Sequence, residues 1–202
     1  MIERTARDGS KTFALHPEHV KRVLNYAALN GNIDIIRYIC TDGRFGVTRR
    51  DVCAGIESAL NGASSTGHLD ILRYICEDLG FAITANDLIY TYGPVYYAFY
   101  NKRINTLRYL CDTPRFGIDA TNIYASIYMM RCGSDPDIEC FRYICEHPRF
   151  GIAAIDGTAT INSAYAFAHS PSGNPYIARY IESRFGDRLP RNLNGFAERL
   201  PR

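Results

Sequence analysis

The chain has no long run of apolar residues and no excess of charge of one sign. No stretch of its 202 residues approaches the roughly 20 apolar residues that a membrane-spanning helix needs. The N-terminus, Met-Ile-Glu-Arg-Thr-Ala-Arg-Asp-Gly-Ser-Lys, contains no apolar core that could serve as a signal peptide. The 23 basic and 21 acidic side chains leave a formal charge of +2, which does not by itself indicate a phosphate backbone as the main partner. We therefore expect a cytoplasmic protein without a membrane partner.

Motifs of catalysis are missing as well. The sequence contains no Gly-rich phosphate-binding loop, no paired-carboxylate site and no Gly-x-Ser-x-Gly turn. The seven cysteines are an odd number, and four of them recur at one position of a repeat. This pattern favours buried thiols in a reducing compartment over a disulfide framework. We expect no enzyme, no cofactor and no small-molecule substrate.

What the sequence does contain is a short internal repeat, Arg-Tyr-Ile/Leu-Cys. Its four copies and a degenerate fifth copy lie at Arg37–Cys40, Arg73–Cys76, Arg108–Cys111, Arg142–Cys145 and Arg179–Glu182. Successive arginines are separated by 36, 35, 34 and 37 residues. A unit of this size is one supersecondary element that buries its apolar face by stacking on its neighbours. The repeat predicts an all-α solenoid of about five units, called copies one to five below.

Each copy predicts a pair of helices. The marker helix of copy one places four apolar residues on one face: Ile35, Ile36, Ile39 and Cys40. A helix before it begins at Pro17 and ends at Asn30-Gly31. In copy three, Thr84 and Asp87 form a capping pair, and the Gly93-Pro94 dipeptide breaks the first helix so that Pro94 opens a second short one. An Arg-Phe-Gly connector, predicted to be a turn, follows most marker helices.

The repeat boundaries divide the chain into three parts. They are an N-terminal arm at residues 1–15, a repeat domain at 16–186 and a basic tail at 187–202. The five units of the domain lie at residues 16–46, 47–82, 83–117, 118–151 and 152–186. In copy five the repeated cysteine is replaced by Glu182, which is typical of a terminal unit with a polar outer face.

The residues of copy two resemble a known repeat. Gly67-His-Leu-Asp-Ile-Leu-Arg-Tyr-Ile is similar to the end of the first helix and all of the second helix of an ankyrin repeat. The connector Asp112-Thr-Pro-Arg-Phe-Gly-Ile-Asp resembles that of long, divergent ankyrin repeats found in protists and giant viruses. The resemblance covers roughly residues 16 to 185. It implies stacked helix pairs and a protein-binding scaffold, placed in the host cytoplasm or the virion if the chain is viral. The Thr-Pro-Leu-His tetrapeptide of that family is missing, so we expect the β-hairpin fingers to be short or absent.

The cysteines and histidines are interpreted as structural. Because Cys40, Cys76, Cys111 and Cys145 recur one unit apart, they are expected to stack in a core row as small hydrophobic residues. One local cluster could be a zinc site: Cys132, Cys140, Cys145 and His147. Its spacing matches no familiar zinc pattern, so packing is the favoured interpretation and no metal is expected.

Two sets of residues are the candidates for contacting a partner. The connector arginines have few evident acidic neighbours in the sequence and could bind carboxylates or phosphates: Arg44, Arg115, Arg149 and Arg184. The second set is a concentration of tyrosines in copies three and four: Tyr92, Tyr96, Tyr97, Tyr100, Tyr124 and Tyr128. Tyrosine gives a large contact area with few rotatable bonds. The alternative is that these rings fill the gap around the Gly93-Pro94 break.

These features favour a non-enzymatic module that binds another protein along its surface. The module could be a host-directed adaptor or a peripheral subunit of a larger assembly. The alternative is a nucleic-acid-binding solenoid that uses the connector arginines, the tyrosines and the basic tail. Affinity for RNA or DNA at low salt separates the two hypotheses, because counterion release strengthens such binding there.

Overall fold

The computed structural model describes residues 2–5, 11–14, 16–42, 49–79, 83–88, 93–119, 138–151, 165 and 175–189. Most of these residues are helical, which confirms the predicted predominance of helices. None of the helices in these ranges is long and apolar enough to cross a membrane.

A β-hairpin precedes the helices. Strand β1 (Ile2–Thr5) pairs antiparallel with β2 (Lys11–Ala14), and Ile2 lies opposite Ala14. The sequence prediction named residues 1–15 only as an arm and did not anticipate these strands. The Asp8-Gly9 dipeptide between them is a hairpin signal that could have indicated the pairing.

Copy one forms the helix pair that its periodicity predicts. Helix α1 (Pro17–Leu29) has Pro17 in its first turn, and the His16 ring caps it by accepting the Glu18 amide N–H at 3.3 Å. Helix α2 (Ile33–Thr41) buries Ile36 and Ile39 as expected. The prediction that this face is buried is wrong at Ile35, which is 43% exposed.

Copy three contains the predicted break, and copy two contains a π-helical turn that was not predicted. Helix α3 (Arg49–Thr66) is followed by α4 (Leu69–Arg73), which continues as a π-helical turn at Tyr74–Asp78. Helix α5 (Ala85–Leu88) is capped by Thr84, whose N–H and hydroxyl both donate to the Asp87 carboxylate at 2.8 and 2.7 Å. As predicted, Pro94 then opens a separate helix, α6 (Pro94–Tyr100), before α7 (Ile104–Asp112).

The later copies contribute their marker helices. Helix α8 spans Ile138–Glu146, and α9 spans Pro175–Phe185 before a 3₁₀ turn at Gly186–Arg188. The connector after α7 is a 3₁₀ turn, Pro114–Phe116, closed by Gly117 in the left-handed region. The prediction of a turn is therefore confirmed for this connector.

The helices contact each other in sequence order of the copies. Helix α1 packs on α2 and α3, and α3 packs on α4 and α6. The marker helices form a second series of contacts, in which α7 touches α4 and α8, and α8 touches α9. Cys76, Cys111 and Cys145 are buried in this series and Cys40 is half-buried, as expected for a core row.

Candidate partner-binding surfaces

The repeated arginine and tyrosine meet across each junction between copies. In every pair the guanidinium of one copy lies over the tyrosine ring of the next. The distances from the guanidinium carbon to the ring centroid are 5.4 Å for Arg37 and Tyr74, 5.7 Å for Arg73 and Tyr109, 5.9 Å for Arg108 and Tyr143, and 5.5 Å for Arg142 and Tyr180. Cation–π contacts of this kind contribute about 0.5–1 kcal/mol at exposed sites. The repeated arginines of copies one to four are therefore part of the junctions.

Three of these four tyrosines also donate hydrogen bonds to the preceding copy. The acceptors are the acidic residues that follow the repeated cysteine: Tyr109 bonds Glu77 at 2.9 Å, Tyr143 bonds Asp112 at 2.8 Å and Tyr180 bonds Glu146 at 2.9 Å. Burial is the largest cause of the raised pKa of all three phenols, and the nearby carboxylate raises each pKa further. Neutral hydroxyls hold successive copies together through charge-assisted bonds.

The connector arginines also reach back to the preceding copy. Arg115 lies 3.6 Å from Glu77, Arg184 lies 3.9 Å from Glu146, and Arg149 donates to the backbone carbonyl of Cys111. The expectation that these arginines have few acidic neighbours is wrong for Arg115 and Arg184, because their partners are distant in sequence. Arg44 lies outside the described residues. Arg115 and Arg184 remain 47% and 62% exposed, so one side of each guanidinium faces solvent.

One junction, between copies three and four, contains a buried histidine. His147 is 6% exposed, and its Nε2 lies 2.9 Å from Asp112. Its Nδ1 accepts the backbone N–H of Arg149 at 3.2 Å, so Nε2 carries the proton and donates to Asp112. The His147 ring stacks on the Phe150 ring, with the ring centroids 3.7 Å apart. Sequence reasoning missed this role because Asp112 lies 35 residues away.

The possible zinc cluster falls only partly within the described residues. Cys132 lies outside them, and His147 already bonds Asp112 and the Arg149 amide. No group of three potential metal ligands occurs in the part of the chain that the structure describes. Burial raises the pKa of the Cys76 thiol to about 12 and that of Cys40 to about 11. These thiols are neutral near pH 7 and therefore poor nucleophiles.

A tyrosine cluster lies on α6. Tyr96 makes an edge-on contact with Tyr97 and stacks on Tyr100, with ring centroids 5.6 Å apart in both cases. The opposite side of α6 is core, with Val95, Ala98 and Phe99 buried. Tyr96 and Tyr97 are half-buried, whereas Tyr100 is 45% exposed. Tyr92, Tyr124 and Tyr128 lie outside the described residues.

The connector arginines and the α6 tyrosines differ in the contacts that they make within the chain. The three described connector arginines each contact a neighbouring copy, whereas the tyrosine cluster has an accessible aromatic edge at Tyr100.

The chain matches no protein-family model, and it shows no significant similarity to a curated protein or to a solved structure.

Proposed function

We propose that this chain is a non-enzymatic protein-binding module, an ankyrin-like α-solenoid whose surface holds another protein. The support for a solenoid is the set of contacts that recurs at successive junctions. At four junctions the repeated arginine of one copy lies over the repeated tyrosine of the next, and at three junctions the tyrosine hydroxyl donates to an equivalent carboxylate. A stack built from nearest-neighbour interfaces gives an extended surface that suits a binding role.

The observation that carries the binding proposal is the α6 cluster. Tyr96 contacts both Tyr97 and Tyr100 on the side of the helix opposite its buried residues, and Tyr100 is 45% exposed. Adjoining aromatic rings with an exposed edge are typical anchors of protein interfaces, since they bury a large area at low entropic cost. Arg115 and Arg184 could add bonds to a partner carboxylate at the rim.

The test is proximity crosslinking or pull-down from the native cell, comparing the chain with its Tyr96→Ala/Tyr100→Ala variant. We expect the variant to lose its principal captured protein while its thermal midpoint changes by a few degrees at most. Tyr176→Ala is the matched control, since Tyr176 is 68% exposed and belongs to α9 in copy five. Equal capture by wild type and the double variant would overturn the proposal for this surface, and a large fall in the midpoint would identify the rings as core.

Nucleic-acid binding is the competing outcome of a second measurement. Three connector arginines that this hypothesis needs are engaged by Glu77, the Cys111 carbonyl or Glu146. Such contacts reduce the positive charge available to phosphates. Titration with single-stranded RNA and DNA should therefore show no measurable affinity at low salt. Tight binding that weakens steeply with salt would favour the nucleic-acid hypothesis instead.

A further inference from the structure

The turn that ends α6 carries two basic residues where copies one and two have a glycine. The Lys102 and Arg103 N–H groups both donate to carbonyls in the last turn of α6, at 3.0 and 2.8 Å, so the chain folds back over the end of the helix. This arrangement puts Lys102 in the left-handed region, with φ +60°. The equivalent residues Gly31 and Gly67 adopt that region without strain.

The Lys102 side chain has no evident role in the fold. It is exposed, and it forms no ion pair within the ranges that the structure describes. Backbone strain that a protein retains is concentrated at functional sites. A lysine at a position that suits glycine therefore favours a use for its ammonium group outside the fold.

No acidic residue accompanies these cations in the surrounding sequence. From Leu88 to Cys111 the chain has three basic residues and no aspartate or glutamate. The end of α3, which packs on α6, has no acidic residue at positions 59–66 either. Tyr100, which is 45% exposed, precedes Lys102 by two residues. The turn is thus a positively charged site beside the tyrosine cluster.

We propose that the α6 cluster and this turn together bind an acidic segment of the partner protein. An apolar side chain of the segment packs against the exposed part of the Tyr100 ring. Its carboxylates pair with Lys102 and Arg103, whose charges are complementary to them. This inference rests on the proposed binding function of the α6 cluster and adds the chemistry of the partner.

Ring geometry and charge favour a protein segment over a nucleic acid on this surface. Tyr96 and Tyr100 stack on each other with an interplanar angle of 18°, so one face of the Tyr100 ring is already covered. Binding of single strands uses open ring faces and a groove of cations that follows the phosphates. The turn supplies two basic side chains, and the Arg103 Nε already donates to the Ser65 carbonyl at 3.0 Å.

The test begins with a selection of short random peptides, displayed on phage, against the full chain. Peptides that also bind the Tyr96→Ala/Tyr100→Ala variant are discarded, which leaves those that need the α6 cluster. We expect the remaining sequences to be rich in aspartate and glutamate next to an apolar residue. Remaining sequences without such enrichment would overturn this inference and leave the α6 binding proposal standing. If no peptide distinguishes the two proteins, both proposals fail.

Variants at residue 102 separate the charge from the backbone conformation. In fluorescence anisotropy with the tightest selected peptide, Lys102→Gly should bind about threefold more weakly and Lys102→Glu about tenfold more weakly. Lys102→Arg keeps the charge and should bind within about twofold of the wild type. Tyr176→Ala, in copy five, is the control that should leave the affinity unchanged. Equal binding by the wild type and Lys102→Glu would overturn the inference.

Urea denaturation shows whether Lys102→Gly acts through binding alone. Glycine relieves the strain at this position, so the variant should be at least as stable as the wild type. A lower urea midpoint would assign the ammonium group to a contact within the chain and would overturn the inference.

Two further measurements identify the nature of the contact. Raising the salt concentration from about 50 to about 500 mM should weaken the wild-type complex several-fold, because exposed ion pairs are screened. An affinity that does not change with salt would argue against the carboxylate contacts and overturn the inference. Single-stranded RNA is the competing probe. RNA binding that the Tyr96→Ala/Tyr100→Ala variant loses would assign this surface to nucleic acid, which also overturns the inference.

Discussion

Tyrosines have two different roles in this molecule. At the junctions, Tyr109, Tyr143 and Tyr180 lie under a guanidinium and donate to a carboxylate of the neighbouring copy. On α6, Tyr96 contacts the rings of Tyr97 and Tyr100, and Tyr100 keeps 45% of its surface exposed. The difference shows that the residue type does not decide the role. A repeat tyrosine packs at a junction where the adjacent copy places a guanidinium over its ring, whereas Tyr100 keeps nearly half of its surface exposed.

Among substitutions at the junctions and on α6, His147→Ala is expected to change the free energy of unfolding most. The substitution removes a buried ring stacked on Phe150 and the hydrogen bonds with Asp112 and the Arg149 amide. A cavity plus unpaired polar groups should lower the free energy of unfolding by about 3 kcal/mol. Urea denaturation followed by circular dichroism measures the change. His19→Ala, at an exposed position of α1, is the control and should cost less than about 0.5 kcal/mol. A similar loss in both variants would show that the junction histidine has no special weight.

A smaller effect is expected from removing one hydroxyl at the same junction. Tyr143→Phe keeps the ring under Arg108 but removes the bond to Asp112. A hydrogen bond to a charged group at a half-exposed site should contribute about 1 to 1.5 kcal/mol of unfolding free energy. Tyr100→Phe on α6 is the matched comparison and should change stability by less than about 0.3 kcal/mol. If both substitutions are neutral, the junction bonds are not what separates the two classes of tyrosine.

The sequence alone predicts features that depend on neighbouring residues, but not contacts between copies. Periodicity predicted α1 and α2, and Pro94 predicted the start of α6, because these features depend on neighbouring residues. The bond between His147 and Asp112 could not be predicted, because it depends on how two copies stack. Periodicity also placed Ile35 on the apolar face of α2 but could not show that it is exposed. The pattern of one helix does not indicate whether a neighbouring element covers that face.

A third prediction concerns a junction position where one copy is polar. Thr106 is 1% exposed, and its hydroxyl has no hydrogen-bond partner within the described ranges. Its counterparts Ile71, Cys140 and Ile177 are all apolar. Thr106→Val keeps the shape and removes an unsatisfied buried hydroxyl, so the free energy of unfolding should rise by about 1 kcal/mol. The midpoint of urea denaturation measures the gain. Thr113→Val, which removes a hydroxyl that bonds the Tyr109 carbonyl, should not stabilise the chain. A loss at Thr106 would indicate a water or an undescribed group bound there.

The smallest expected effect is at the turn inside copy three. Among the described residues, three turns between helices of a pair use the left-handed region, at Gly31 (φ +73°), Gly67 (φ +90°) and Lys102 (φ +60°). A residue with a Cβ atom is destabilised by roughly 1 kcal/mol in that region. Replacing it with glycine removes this strain, but glycine loses more backbone entropy on folding, so only part of the strain energy is recovered. Lys102→Gly should therefore raise the free energy of unfolding by about 0.5 kcal/mol.

The control for this substitution is the reverse change at a glycine with room for a Cβ atom. Gly117 has φ +67°, and a Cβ atom there meets nothing within 4 Å. Gly117→Ala should therefore lower stability by about 1 kcal/mol through backbone strain alone. Urea midpoints of both variants, measured side by side, give the two signs. If Lys102→Gly destabilises while Gly117→Ala behaves as expected, the Lys102 side chain contributes more to the junction between copies two and three than its backbone strain costs.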